Sequence, residues 1–141
     1  GADVADGGAG DDFMIGGGGG DHMIGGGGSD RVVGGVGQDT LEGGAGNDNL
    51  WGGNWSGDNQ SDTFVHRHGG GRDLIHDFEA ENDQIDLSAY GLTYEEIQDR
   101  MIDHGWATEI NLEGIDQSGA GDSLMLKSVS VDDLNESNFI M

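Results

Sequence analysis

Aspartates recur at a fixed interval through the first half of the chain. Asp3, Asp12, Asp21, Asp30, Asp39 and Asp48 lie nine residues apart, and Asp62 and Asp73 follow at wider spacing. Glycines crowd the residues before each of them. Carboxylates and main-chain carbonyls are hard oxygen donors, and Ca2+ takes about 6–8 of them. One short loop cannot supply so many, whereas two stacked loops can. The candidate donors are the eight aspartates and the carbonyls of Gly7, Ala9, Gly16, Gly17, Gly18, Gly25, Gly26, Gly27, Gly34, Gly35, Val36, Gly43, Gly44 and Ala45.

The elements that must hold these groups follow from the residues between them. Five consecutive nonapeptides, GGAGDDFMI, GGGGGDHMI, GGGGSDRVV, GGVGQDTLE and GGAGNDNLW, start at Gly7, Gly16, Gly25, Gly34 and Gly43. Each fits G-G-x-G-x-D-x-U-x, where U is a large apolar residue. The GGxGxD part must turn tightly, and glycine permits the positive φ that such a turn needs. The xUx part is long enough for a short strand, whose neighbours alternate faces. Met14, Met23, Val32, Leu41, Leu50, Phe64 and Ile75 are then one narrow apolar core. Residues 1–6 read as the tail of an earlier repeat, so that more of the protein is expected upstream. A sixth unit opens at Gly52 with a five-residue insertion, and a seventh, residues 69–75, is two residues longer in its Asp-to-Asp spacing.

This pattern resembles the RTX calcium-binding repeat, and residues 73–88, DLIHDFEAENDQIDLS, resemble the segment that follows such repeats. The resemblance implies an all-β, right-handed parallel β-roll with two repeats per turn. Loops on one edge then stack 18 residues apart, pairing Asp3 with Asp21, Asp12 with Asp30, Asp21 with Asp39 and Asp30 with Asp48. Across the irregular units it pairs Asp39 with Asp62 and Asp48 with Asp73. Roughly 4–7 Ca2+ are expected. Asp77, Asp83 and Asp86 either form a further calcium site or end strands.

Charge gives the repeat its meaning. The 141 residues carry 28 acidic against 5 basic groups, a formal net charge of −23. Such a charge opposes compaction and excludes nucleic acid, which needs Lys and Arg against phosphates. Bound Ca2+ would cancel roughly half of it, coupling metal binding to folding. No cysteine is available for a disulfide, and bound metal is one alternative staple. No apolar run approaches the roughly 18 residues of a membrane span.

Residues 1–78 are expected to form the roll and residues 79–141 a cap with short strands and one helix, the two packed as one module. Ile75, Phe78, Ile85 and Leu87 read as core. Thr93-Tyr94-Glu95-Glu96 is a capping box, Ile97 and Met101 follow at helical spacing, and Gly105 can stop the helix. Strands are expected over 107–112 and 123–129, a loop over 113–122, and a short turn over 131–134 capped by Ser130. The terminal Phe139-Ile140-Met141 reads either as an uncleaved type I secretion signal, which it resembles, or as a last strand.

No catalytic constellation is found. His-Glu-x-x-His, Gly-x-Ser-x-Gly and P-loop patterns are absent, and His66 and His68, on one face of a strand, either bind a metal or, as such pairs more often are, stand inert. The outward file Ile15, Val33 and Trp51, beside Phe13 and Arg31, is either covered by the C-terminal segment or a neighbouring domain, or is a ligand surface centred on Arg31 and Trp51. RTX modules follow the catalytic domains of secreted proteases, lipases, polysaccharide lyases and mannuronan C5-epimerases, and occur in toxins and adhesins. Within these, the DFEA and IDLSA stretches look most like an epimerase R-module. The resemblance implies a non-catalytic module of a larger protein, secreted by the type I machinery of a Gram-negative bacterium. Its implied partners are calcium, an upstream domain and, as the alternative function, an extracellular polysaccharide such as alginate.

Overall fold

A computed structural model describes residues 1–55, 57–115 and 121–141. The nonapeptides alternate between two parallel sheets. The first stacks β1 (Val4–Ala9), β3 (His22–Gly27), β5 (Thr40–Ala45), β7 (Thr63–Val65), β9 (Gln84–Asp86) and β13 (Phe139–Ile140). The second stacks β2 (Phe13–Gly18), β4 (Arg31–Val36), β6 (Asn49–Trp51), β8 (Arg72–Ile75), β12 (Ser123–Lys127), β11 (Ala107–Asn111) and β10 (Met101–Asp103). This is the expected β-roll. The register is 18 residues wherever the repeat is regular, as in Met14 opposite Val32 and Met23 opposite Leu41. It widens to Leu41 opposite Phe64 and Leu50 opposite Ile75 across the irregular units.

The inward positions form the core as the pattern requires. Met23, Val32, Leu41, Leu50, Phe64, Ile75, Ile85 and Leu87 are at most 2% exposed, while Met14 near the N-terminal end is half-buried. The core continues without a break into the cap through Ile97, Ile110, Leu124, Leu126 and Phe139. Stacking in the first sheet runs beyond residue 78, through Ile85 to Phe139.

Three expectations about local structure are corrected. The regular strands are six residues long, not three, because the first three GGxG positions pair between turns, as Gly8 does with Gly26 and Gly17 with Gly35. The sharp turn is left to the x-D end of each unit. The helix, α1, spans only Tyr94–Gln98. Its Thr93–Glu96 capping box forms as read, but Met101 lies in β10, paired antiparallel with β11. Finally, the apolar outer file is partly covered from within the roll. The sixth-unit insertion lays Trp55 between Phe13 (centroids 5.9 Å apart) and Trp51 (4.9 Å).

Candidate metal centre

The two oxygens of a ladder aspartate, as at Asp21, Asp30, Asp39 and Asp48, have separate surroundings. Oδ1 accepts the backbone N–H of the aspartate one turn earlier: Asp21 from Asp3 at 2.8 Å, Asp30 from Asp12 at 2.8 Å, Asp39 from Asp21 at 2.7 Å and Asp48 from Asp30 at 2.8 Å. The irregular units keep the rule, with Asp62 accepting from Asp39 at 2.9 Å and Asp73 from Asp48 at 3.0 Å. The sequence pairing is therefore the spatial pairing in all six cases. The series also runs one step further, since Asp83 accepts from Asp62 at 3.0 Å. Two ladders result, Asp3–Asp21–Asp39–Asp62–Asp83 on one edge and Asp12–Asp30–Asp48–Asp73 on the other.

The second oxygen is left over. Oδ2 of Asp12, Asp21, Asp30, Asp39 and Asp48 is buried with no hydrogen-bond partner. Five orphaned carboxylate oxygens in so small a protein are costly unless something meets them. Each aims at the first glycine of its own unit, where a Cβ would run into it. Beside Gly7, Gly16, Gly25 and Gly34 a second oxygen approaches the same point, the carbonyl of Gly25, Gly34, Gly43 and Gly52 respectively, from the next turn on that edge. A carboxylate oxygen and a carbonyl oxygen converging without a donor between them suit a hard cation. Among the described residues no three His, Asp or Glu side chains converge. The remaining ligands would thus be main-chain oxygens, a donor set that fits Ca2+ and not Zn2+.

The G-G-x-G pattern can now be read atom by atom. The first glycine leaves room for the carboxylate. The second and fourth have positive φ, as at Gly17 (97°) and Gly19 (116°). The third tolerates a side chain, and carries Ala9, Val36 and Ala45. Carbonyls of Gly27, Val36 and Ala45 accept the N–H of Gly10, Gly19 and Gly28, which leaves each a single lone pair for anything else.

Burial drives the ladder carboxylates from Asp39 onward toward protonation. It pushes Asp48 and Asp62 up to about 7, with backbone hydrogen bonds opposing it and neighbouring ladder carboxylates adding to it. Asp39 is raised for the same reasons. Asp77 and Asp83 are raised to about 6, again mainly by burial.

The later aspartates are committed to main-chain donors. Asp77 accepts from the N–H of Gly52 and Gly53, and Asp83 from those of Asp62 and Glu79. Asp86 accepts from Ser88 N–H. His66 and His68 diverge, His66 to Asp73 and His68 to the Ala89 carbonyl. Arg31 is exposed in the file beside Trp51, whose ring stacks on His76 at 4.0 Å and 8°. Sequence reasoning missed three residues. Gly52 opens the irregular unit and was not credited with a carbonyl. Asp122, assigned to a loop, is fully buried and accepts from Gly69, Gly71 and the Tyr90 hydroxyl. His66 is the third.

Comparison with known proteins was made on this geometry. The family described as RTX calcium-binding nonapeptide repeat matches residues 1–23 and 24–54. The R3 subunit of AlgE6, a mannuronan C5-epimerase of Azotobacter vinelandii, is similar at 31% identity and a TM-score of 0.69, over 93% of this chain and 78% of that one. The R2 subunit of the same enzyme is similar at 30% identity and a TM-score of 0.69, over 98% and 91%. No curated protein sequence matches.

Proposed function

The chain belongs to the RTX calcium-binding repeat family, and from that premise we propose that it is a non-catalytic module that folds on binding calcium and stabilises a larger extracellular protein. The carrying observation is the set of five buried Oδ2 atoms without partners. We assign one Ca2+ to each of Asp12, Asp21, Asp30, Asp39 and Asp48, completed by main-chain carbonyls of the GGxG residues. Bound there, calcium supplies the charge that the buried carboxylates lack. Five ions would bring the formal charge from −23 to about −13.

Without metal, the ladders place like charges against one another in a poorly solvated edge, and the short strands cannot close a core against that repulsion. Binding free energy is then folding free energy. In low-calcium cytoplasm the chain would stay unfolded and fit for type I export, and it would fold outside. Circular dichroism in millimolar Ca2+ and after exhaustive chelation tests this. The expected result is a β spectrum with calcium and a disordered one without it. A folded spectrum that survives chelation would sink the proposal.

A second reading, polysaccharide binding, rests on the outer face of the second sheet. Phe13 (59% exposed) and Trp55 (49%) present rings there beside Trp51, His76 and Arg31. Flat apolar rings flanked by a cation suit an acidic sugar chain, and the similar AlgE6 subunits come from a mannuronan C5-epimerase. Calorimetry with mannuronan oligomers in calcium should give a Kd that Trp55→Ala weakens at least tenfold. Heat no greater than from a neutral glucan would reject this reading.

A further inference from the structure

The edge ladder Asp12–Asp30–Asp48–Asp73 does not end as it begins. In the regular units the residue after x-U-x is the first glycine, as Gly16 follows Phe13-Met14-Ile15. Counting on from Thr63-Phe64-Val65, that position is His66. It is where any side chain would meet the carboxylate of its own unit. Here the side chain is present, and the unit is two residues longer, with eleven residues from Asp62 to Asp73 instead of nine. His66 is 2% exposed. Its Nδ1 lies 2.8 Å from Asp73 Oδ2; with Asp73 ionised Nδ1 is the donor, and Nε2 is buried without a hydrogen-bond partner. Asp73 Oδ1 keeps the ladder bond from Asp48 N–H at 3.0 Å. Gly70 leaves the ring its space, since a Cβ there would strike Cε1 and Nδ1. Tyr90 lies parallel to the ring at 6.0 Å.

The oxygen that is orphaned in five other ladder aspartates is thus satisfied within the chain at Asp73. We propose that the His66 imidazole occupies the cation position of Asp73, so that the calcium column on this edge stops at Asp48. The inference rests on the calcium reading above and goes beyond it by fixing where the column ends. It also makes the position latent: glycine at residue 66, as in the earlier units, leaves Asp73 Oδ2 free for one more ion.

Counting Ca2+ per chain by calorimetry and by elemental analysis of the desalted protein tests this. His66→Gly should bind one ion more than the unaltered chain. Asp73→Asn in the unaltered chain should leave the count unchanged, because Asn retains the Oδ1 that accepts from Asp48 and its amide can donate to the ring. Asp48→Asn should lose one ion. An unchanged count in a folded His66→Gly chain, or one ion lost in Asp73→Asn, overturns the proposal while leaving the calcium reading intact. Should His66→Gly fail to fold, the two aspartate variants decide. An unaltered chain that binds no calcium overturns the calcium reading itself.

Discussion

At the scale of single residues, the four glycine positions of a unit do different work, and substitution should separate them. Gly16 faces the Asp21 carboxylate and the Gly34 carbonyl, with no room for a methyl group. Gly16→Ala should displace Asp21 Oδ2, weakening calcium binding at least tenfold and destabilising the loaded fold by about 1–3 kcal/mol. Gly18 has open space and no positive φ, so Gly18→Ala should change stability by less than about 0.5 kcal/mol. Chemical denaturation in fixed calcium measures both, and equal effects would contradict this division of roles. The carboxylates themselves predict a pH response. Burial raises Asp48 and Asp62 to about 7 and Asp77 and Asp83 to about 6, above the ordinary 3.8 of the unfolded chain. A raised folded value means that the fold binds protons more tightly than the unfolded chain. Stability of the metal-free fold is therefore fullest below about pH 4 and is lost as pH climbs through 6–7. Calcium competes with those protons, so its affinity should rise over the same window. Melting curves in chelator at pH 4.5 and 7.5 should favour the acid sample, and curves in calcium the neutral one. The aspartate pairing was legible in the sequence because one residue type in a fixed period has a single consistent stacking. His66 was not, because its role depends on the length of the unit that carries it, and its neighbour in space is seven residues away.

At the scale of elements, the roll is closed at its C-terminal end by borrowed strands. β13 adds to β9 in parallel, placing Phe139 opposite Ile85, and β12 does the same for β8. By register Ser137 stands where the earlier strands of this sheet have their aspartate, and Asn138 follows it, opposite Gln84. The Asn138 side chain donates to the carbonyls of Ala80 and Asp83, so this end closes without a carboxylate. Removing residues 138–141 should expose the Phe64–Ile85 end of the core. Phe139 alone fills a site that typically costs about 3–5 kcal/mol to empty, so Phe139→Ala should lower Tm in saturating calcium by at least 10 °C while leaving the calcium count unchanged. Loss of ions in step with Tm would mean that the cap and the ladders are not separable. The cap was the least legible part of the sequence. The Thr93 capping box is a local signal and forms as read, whereas Met101 continued the helical spacing but is held in a strand by β11, a tertiary pairing that periodicity cannot see. The strand lengths of the roll were misread for a related reason. The positive φ expected of glycine is found at the second and fourth positions of each unit, yet the second also lies within a paired strand, where close approach between turns keeps larger residues out.

At the scale of the whole molecule, the alternation of units between two sheets gives the chain a parity. Nine residues move a strand to the opposite sheet; eighteen return it to the same one. Phe13 and Ile15 share a sheet with Trp51, and Phe13 meets Trp55, only because they are separated from that strand by an even number of units. Deleting residues 16–24 should leave a folded roll with one ion fewer, but carry Phe13 across to the sheet of Thr40. Deleting residues 16–33 should remove two ions and set Phe13 directly against Asn49, keeping the aromatic face whole. Calcium counts and tryptophan fluorescence quenching would distinguish the two. The molecule can therefore be shortened or lengthened like a ruler marked in double units: whole marks preserve which residues look out on the same side, and half marks exchange them.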